Sequence, residues 1–165
     1  MSSLSSEVRN VQNPALGAVA LWQFARGYEG ASQTHEPVPL PLLFLVLPIV
    51  FHREVRSFVT STKKGLRAFA AKFGEPKHCK QDLLLSVHGR INVMRDLSLE
   101  SLRVAIASSL VSMTDYGTVF SVARGKGPTN LDDTTRHIVS ASEKLGRWCE
   151  PLTIPEIASI LYVRF

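Results

Sequence analysis

The chain has 165 residues and a net charge of +5, and this length indicates one domain. Because 45% of the residues are hydrophobic and only 20% are charged, the composition is that of a globular protein and excludes an intrinsically disordered chain. Its two cysteines suggest no disulfide framework, and the first six residues lack the basic flank of a signal peptide. Because the longest apolar block has 12 residues and a bilayer span needs about 20, we expect no membrane segment and a cytoplasmic protein.

Two apolar blocks dominate the first third of the sequence. Asn13 and Pro14 predict the N-cap and first position of a helix that runs to about Tyr28. After a polar connector, a second block from Leu40 to Phe51 predicts another helix, which Pro48 is expected to kink or end. Both blocks are apolar on nearly every side, so neither is an ordinary surface helix.

These two blocks must bury against either the rest of the chain or another protein. The first helix could be a central core helix, or part of its surface could be an interface with another subunit. We expect the two blocks together to exceed what one small domain can cover, which leaves apolar surface for a partner. The residues predicted to form that contact are Leu16, Trp22, Tyr28, Leu45, Ile49 and His52.

The basic excess of the chain lies in residues 53–80, where eight Lys and Arg stand against two Glu, a local charge of +6. A helical piece is expected from about His52 to Val59, followed by an amphipathic helix capped by Ser61 or Thr62. Such a segment can attract nucleic acid or an acidic protein surface, or it can be only the solvated face of helices. The candidate contacts are Lys63, Lys64, Arg67 and Lys72.

The centre of the chain predicts the element order of a winged helix-turn-helix. One helix is expected from about His78 to Arg95 and, after a tight turn, a second begins at a cap at Ser98. Alternating apolar residues then predict a β-hairpin of Val111–Thr114 and Thr118–Ala123. The second helix is predicted to bury Leu99, Leu102, Ile106 and Leu110, and to expose Glu100, Ser101, Arg103 and Ser108.

The last part of the chain predicts two further helices. Asp132 and Asp133 favour the start of one, Thr153 to Glu156 form a capping box for the other, and Leu161–Phe165 is expected to end as a strand. The predicted fold class is therefore mainly α, as one domain of residues 1–165. It comprises an apolar and basic helical part (1–76), a winged helix-turn-helix with a small β-hairpin (77–127) and C-terminal helices (128–165).

No residue pattern predicts catalysis, a cofactor or a metal. His78, Cys79 and His88 lack the converging spacing of a zinc site, and a core histidine is the expected role of His88. Gly125–Gly127 lacks the spacing of a phosphate loop. The second helix of the predicted winged helix-turn-helix, which would enter a DNA groove, exposes one basic and one acidic residue. One basic residue neutralises too little phosphate charge for binding to a DNA duplex. We therefore expect a winged helix that contacts proteins.

Four segments also carry a family resemblance: Asn13–Tyr28, Leu40–His52, Leu145–Trp148 and Leu161–Arg164. They resemble the middle component of bacterial three-component ABC ATPase systems. The positions shared with that family are Asn13, Pro14, Leu16, Gly17, Trp22, Pro41, Pro48 and His52. A fold requirement explains these positions equally well, and the resemblance supplies no catalytic residues.

The resemblance implies a small winged-helix protein that is encoded beside an ABC ATPase and a third component. Such systems are implicated in defence against phage and plasmids. It implies a non-catalytic adaptor that couples the ABC ATPase subunit to an effector or sensor subunit within a hetero-oligomer. The alternative function, favoured by the +6 segment, is a DNA-binding winged-helix protein.

Overall fold

The computed structural model describes residues 13–77 and 79–165, so the predictions on the first six residues and on His78 lie outside the described residues. The described chain is mainly helical, as predicted, with one small sheet. Its elements are α1 (Pro14–Ala31), β1 (Val38–Pro39), α2 (Leu40–Val50), α3 (Arg53–Ser61), α4 (Leu66–Lys72), α5 (Gln81–Val93), α6 (Arg95–Ala107), β2 (Val111–Met113), β3 (Thr118–Ser121), α7 (Asp133–Cys149) and α8 (Ile154–Leu161). No helix among these residues is long and apolar enough to cross a bilayer.

Helix α1 is the centre of the fold and packs mainly against α7 and α6. Its predicted start is confirmed: the side-chain oxygen of Asn13 accepts hydrogen bonds from the backbone N–H groups of Ala15 and Leu16, at 3.0 and 3.2 Å. Pro14 occupies the first helical position, where it sacrifices no intrahelical bond. The helix continues one turn beyond the predicted end and closes at Ser32.

Helix α2 runs through Pro48 and ends at Val50, so the proline does not end it. Pro48 lies in the last turn, where its missing N–H removes only one backbone hydrogen bond. The next helix, α3, closes at Thr62, whose backbone N–H and hydroxyl both donate to the Phe58 carbonyl oxygen at 3.1 and 2.7 Å. Because Thr62 ends α3, α4 begins later than predicted, after Gly65 at φ +98°.

The three strands form an antiparallel sheet in the order β1-β3-β2. The predicted hairpin of β2 and β3 is confirmed in shortened form, with Met113 opposite Val119. The sequence did not predict β1, which pairs Val38 with Val119 on the other side of β3. It is only two residues long and ends in Pro39, which lacks a backbone donor and is tolerated here on an edge strand.

The junction between α5 and α6 differs from the prediction. Met94 alone separates the two helices, and the backbone N–H of Ser98 already donates to the Met94 carbonyl oxygen at 2.9 Å. Ser98 is therefore inside α6 and cannot be its N-cap. The predicted tight turn is wrong for the same reason.

Helix α6 also presents a different face to the core. Its buried residues are Ser98, Ser101, Leu102 and Ala105, whereas Leu99 and Ile106 are exposed. The cause is a close approach to α1: a Cβ atom on Gly17 would overlap the Ser101 hydroxyl and stand 2.8 Å from its Cβ. Only small side chains fit between two helices at this separation, so Leu99 and Ile106 lie outside.

The C-terminal helices begin as predicted. Asp132 caps α7 by accepting from the Thr135 N–H at 3.3 Å, and Thr153 and Glu156 form the capping box of α8. The predicted strand at 161–165 is absent. Tyr162 instead adopts a left-handed conformation at φ 56°. The Val163 N–H donates a hydrogen bond to the Ala158 carbonyl oxygen at 3.0 Å, which caps the C-terminal end of α8.

Candidate partner-contact surfaces

The prediction that the fold leaves the side chains of Leu16, Trp22, Tyr28, Leu45 and Ile49 uncovered is wrong. Leu45 and Ile49 are 0% exposed, and Trp22 is 5% exposed. Leu16 and Tyr28 are also buried. The physical reason is that α6 and α7 cover α1, while α1 and α5 both pack on α2. These five side chains belong to the hydrophobic core of the chain, and each is at most 8% exposed.

His52, the sixth residue predicted to contact a partner, is half-buried and starts α3. Its Nδ1 accepts a hydrogen bond from the Val55 N–H at 3.4 Å, which is an N-cap interaction.

Apolar side chains that the fold does leave exposed lie elsewhere. Of the large apolar side chains that the structure describes, the two most exposed are Tyr116, at 94%, and Val93, at 84%. Tyr116 occupies the turn of the hairpin, and Met113, 49% exposed, lies at the end of β2 beside it. We call Met113 and Tyr116 the hairpin tip. Other exposed large apolar residues are Leu85, Leu99, Ile106, Phe120, Val122, Tyr162 and Phe165.

The turn that carries Tyr116 is tightly hydrogen-bonded. The Thr114 N–H donates to the Thr118 carbonyl oxygen at 2.9 Å, and the two threonine hydroxyls are 2.6 Å apart. Gly117 follows Tyr116 at φ +73°, a conformation that glycine adopts without strain. The turn therefore holds Tyr116 outward in a fixed backbone geometry.

Two contacts attach the hairpin to the helices. The Glu29 carboxylate of α1 accepts from the backbone N–H of Ser121 at 2.7 Å and from the Ser121 hydroxyl. At the other end of the hairpin, the Leu40 N–H donates to the Gly117 carbonyl oxygen at 3.1 Å. The hairpin is thus fixed to both α1 and the start of α2.

The basic segment contributes to a lysine cluster, which consists of Lys63, Lys72 and Lys144. Lys72 Nζ donates to the Ser61 hydroxyl at 3.1 Å, and Lys144 Nζ donates to the neighbouring carbonyl of Thr60 at 3.0 Å. Burial lowers the pKa of Lys144, and the positive charges of Lys72 and Lys63 lower that pKa further. Three ammonium groups therefore lie together around the C-terminal end of α3.

Of the other two predicted basic contacts, Arg67 is paired with a carboxylate and Lys64 is exposed. Arg67 forms an exposed ion pair with Glu156 at 3.4 Å, and Lys64 is exposed in the loop before α4. Sequence analysis missed Lys144, which lies on α7 and comes near α3 only through tertiary packing. No local pattern could have identified it.

Among the described residues, no group of three His, Cys, Asp or Glu side chains could hold a metal ion. His88 is half-buried, and its Nδ1 accepts a hydrogen bond from the Arg164 N–H at 3.3 Å. Cys149 is fully buried, which raises its thiol pKa to about 12 and disfavours the nucleophilic thiolate.

A family model for Middle Component 3 of the ABC-three component (ABC-3C) system matches residues 1–165 of the chain. The resemblance predicted from the sequence is therefore confirmed. No curated protein and no solved structure shows a significant match.

Proposed function

The chain belongs to the Middle Component 3 family of ABC-three component systems, and from this membership we propose that it is a non-catalytic adaptor. It couples an ABC ATPase subunit to an effector or sensor subunit of a bacterial defence complex in the cytoplasm. The hairpin tip is the surface through which it holds one of these partners.

The observation that supports this surface is the exposure of Tyr116 on a rigid turn. Large aromatic residues dominate the energetics of protein interfaces, and a residue already held in place loses little conformational entropy when it binds. Tyr116 and Met113 together present an apolar contact beside polar hairpin residues. The N-terminal helices have the complementary task of forming the core that supports the hairpin.

The order of elements supports a winged helix used for protein contacts. Helix α5, a junction, α6 and the β-hairpin follow one another in winged-helix order. The junction is the single residue Met94, whereas DNA-binding helix-turn-helix motifs use about three to four residues. The exposed face of α6 carries Leu99 and Ile106, which suit a protein surface better than a DNA groove.

Co-purification with the products of the neighbouring genes tests the proposal. The test variant is Met113→Ala with Tyr116→Ala, and the matched control is Leu85→Ala with Val93→Ala, which removes two apolar side chains of similar exposure from α5. A hot-spot contribution of about 2 kcal/mol corresponds to a roughly thirtyfold loss of affinity. We expect the wild-type protein and the α5 variant to recover a partner, and the hairpin variant to lose it. A wild-type protein that stays monomeric in the presence of both gene products would contradict the adaptor role.

A DNA-binding role is the second candidate, and the lysine cluster favours it. Phosphate contacts by Lys supply most of non-specific duplex affinity and make it salt-dependent. Reversing Lys63, Lys72 and Lys144 to Glu should then abolish retardation of duplex DNA at low salt. Reversal of Arg103, Arg124 and Arg136, three exposed residues outside the cluster, is the control of equal charge change. Absence of wild-type retardation at low salt eliminates this candidate.

A further inference from the structure

A cavity of about 250 Å³ opens where α2, α5 and the C-terminal residues meet. We call it the arginine pocket; its principal lining residues are Leu40, Phe44, Ile91, Asn92, Arg95 and Arg164. The apolar lining residues are buried or half-buried except Phe165, which also lines the cavity and is 48% exposed, and Asn92 and the two arginines are exposed. The pocket therefore combines an apolar interior with a cationic, hydrogen-bonding entrance.

Neither guanidinium group of the pocket, that of Arg95 or that of Arg164, forms an ion pair within the described part of the chain. The described lining of the pocket includes no carboxylate side chain. Other exposed arginines do have such partners: Arg103 pairs with Glu100 at 3.2 Å, and Arg136 with Asp133 at 3.0 Å. Two unpaired guanidiniums beside one apolar cavity are complementary to a ligand that is both acidic and apolar.

The dimensions and chemistry favour a protein segment over a cofactor or nucleic acid. Pockets for drug-sized molecules measure about 300–1,000 Å³, so this smaller cavity suits one apolar side chain. Arginine binds a carboxylate through two parallel hydrogen bonds, which fixes the ligand in one orientation. A nucleic-acid backbone instead needs a row of cations and no apolar interior.

The pocket and the hairpin are joined through the backbone of Leu40. Leu40 lines the pocket, and its backbone N–H donates to the carbonyl oxygen of Gly117, the residue next to Tyr116, at 3.1 Å. One protein partner can therefore reach both features without spanning the molecule. Contacts on two adjacent sites would bury more apolar surface than the hairpin tip alone.

We propose that the arginine pocket receives an apolar side chain from the partner subunit, with an Asp or Glu of the same segment paired to Arg95 and Arg164. This inference rests on the proposed adaptor function, and it identifies the partner by an acidic, apolar segment. The pocket provides orientation and charge selectivity, while the hairpin tip provides apolar contact.

Charge reversal tests the proposal in the full chain co-expressed with the products of the neighbouring genes. Arg95→Glu with Arg164→Glu should reduce the amount of recovered partner at least tenfold at low salt, because the two introduced carboxylates repel the acidic segment of the partner. Arg95→Lys with Arg164→Lys should restore part of the recovery, since it keeps the charges and loses the bidentate geometry. Arg136→Glu with Arg147→Glu makes the same charge change outside the pocket lining and should recover the wild-type amount.

The possible outcomes distinguish failure of the pocket proposal from failure of the proposed adaptor function. If the pocket Glu variant recovers as much partner as the wild type while the hairpin variant loses it, the pocket proposal is overturned and the adaptor role stands. A wild-type protein that recovers neither gene product overturns both. Circular dichroism of each variant must match the wild type; a pocket Glu variant that is folded and selectively deficient supports the proposal. If it unfolds, the Leu40→Trp variant, which fills the cavity without changing charge, must reduce recovery or the proposal fails.

Discussion

Gly146 of α7 lies directly against the backbone of Phe24 in α1. A Cβ atom on the glycine would overlap the Phe24 carbonyl oxygen and stand 3.1 Å from its carbonyl carbon. Gly27 of α1 makes the reciprocal approach, since its Cβ would overlap the Glu143 carbonyl oxygen. The two central helices therefore cross with their backbones nearly in contact, and this crossing buries the apolar faces of both.

The first prediction follows from this crossing. Gly146→Ala should lower the free energy of unfolding by about 1–3 kcal/mol, because the added methyl group forces the helices apart. Gly30→Ala, near the end of α1 where a Cβ meets nothing within 4 Å, is the control and should be neutral or slightly stabilising. Urea denaturation of the two variants measures the difference. Equal stabilities would contradict the close crossing.

A second prediction concerns two serines that are both 0% exposed. The hydroxyl of Ser101 has no hydrogen-bond partner among the described residues, whereas the hydroxyl of Ser142 donates to the Ile138 carbonyl oxygen at 2.7 Å. Ser101→Ala should therefore be neutral or stabilising by about 1 kcal/mol, and Ser142→Ala destabilising by about 1 kcal/mol. Thermal denaturation of both variants gives the comparison. A larger loss of stability in Ser101→Ala than in Ser142→Ala would contradict the described packing of α6.

A third prediction concerns the capping box of α8. The backbone N–H and the hydroxyl of Thr153 hold the pKa of Glu156 below its ordinary value of 4.5. Because the folded pKa is depressed, this stabilisation is present above pH 4.5 and is lost as the pH falls through the lower folded value. Thr153→Ala should raise the Glu156 pKa only in part, since the backbone N–H remains. Carboxyl NMR titration measures it, with Ser159→Ala as the control; an unchanged pKa in Thr153→Ala would contradict the hydroxyl contribution.

A fourth prediction uses the two cysteines as probes of packing. Burial raises the pKa of the Cys149 thiol to about 12, while Cys79 is exposed. Iodoacetamide at pH 8 should therefore label one cysteine in the native protein and two in denaturant. Mass spectrometry identifies the labelled residue. Rapid native labelling of Cys149 would mean that α7 does not stay closed on the core.

Local capping chemistry was predictable from the sequence, because it depends on residues close together in the chain. Asn13, Asp132 and the Thr153–Glu156 pair all cap helices as expected. The hairpin turn around Gly117 was predictable for the same reason. Each of these features is determined within about four residues.

Features that depend on distant backbones were not predictable. Ser101 was expected outside and Ile106 inside, yet Gly17 brings α1 so near to α6 that only the small residues fit between them. Strand β1 depends on a partner 81 residues away (Val38 with Val119), and Lys144 reaches α3 only through the packing of α7. The same long-range packing placed most of the two apolar blocks in the core and left the hairpin tip among the exposed apolar side chains.

Hydrogen–deuterium exchange of the chain, alone and with the neighbouring gene products, tests the central claim most directly. The account predicts that a partner slows exchange in residues 111–123, which include the hairpin tip. Helix α1 is already protected in the free chain and should not change. Slower exchange confined to α1 and α2, with an unchanged hairpin, would contradict it and return the partner contact to the N-terminal helices.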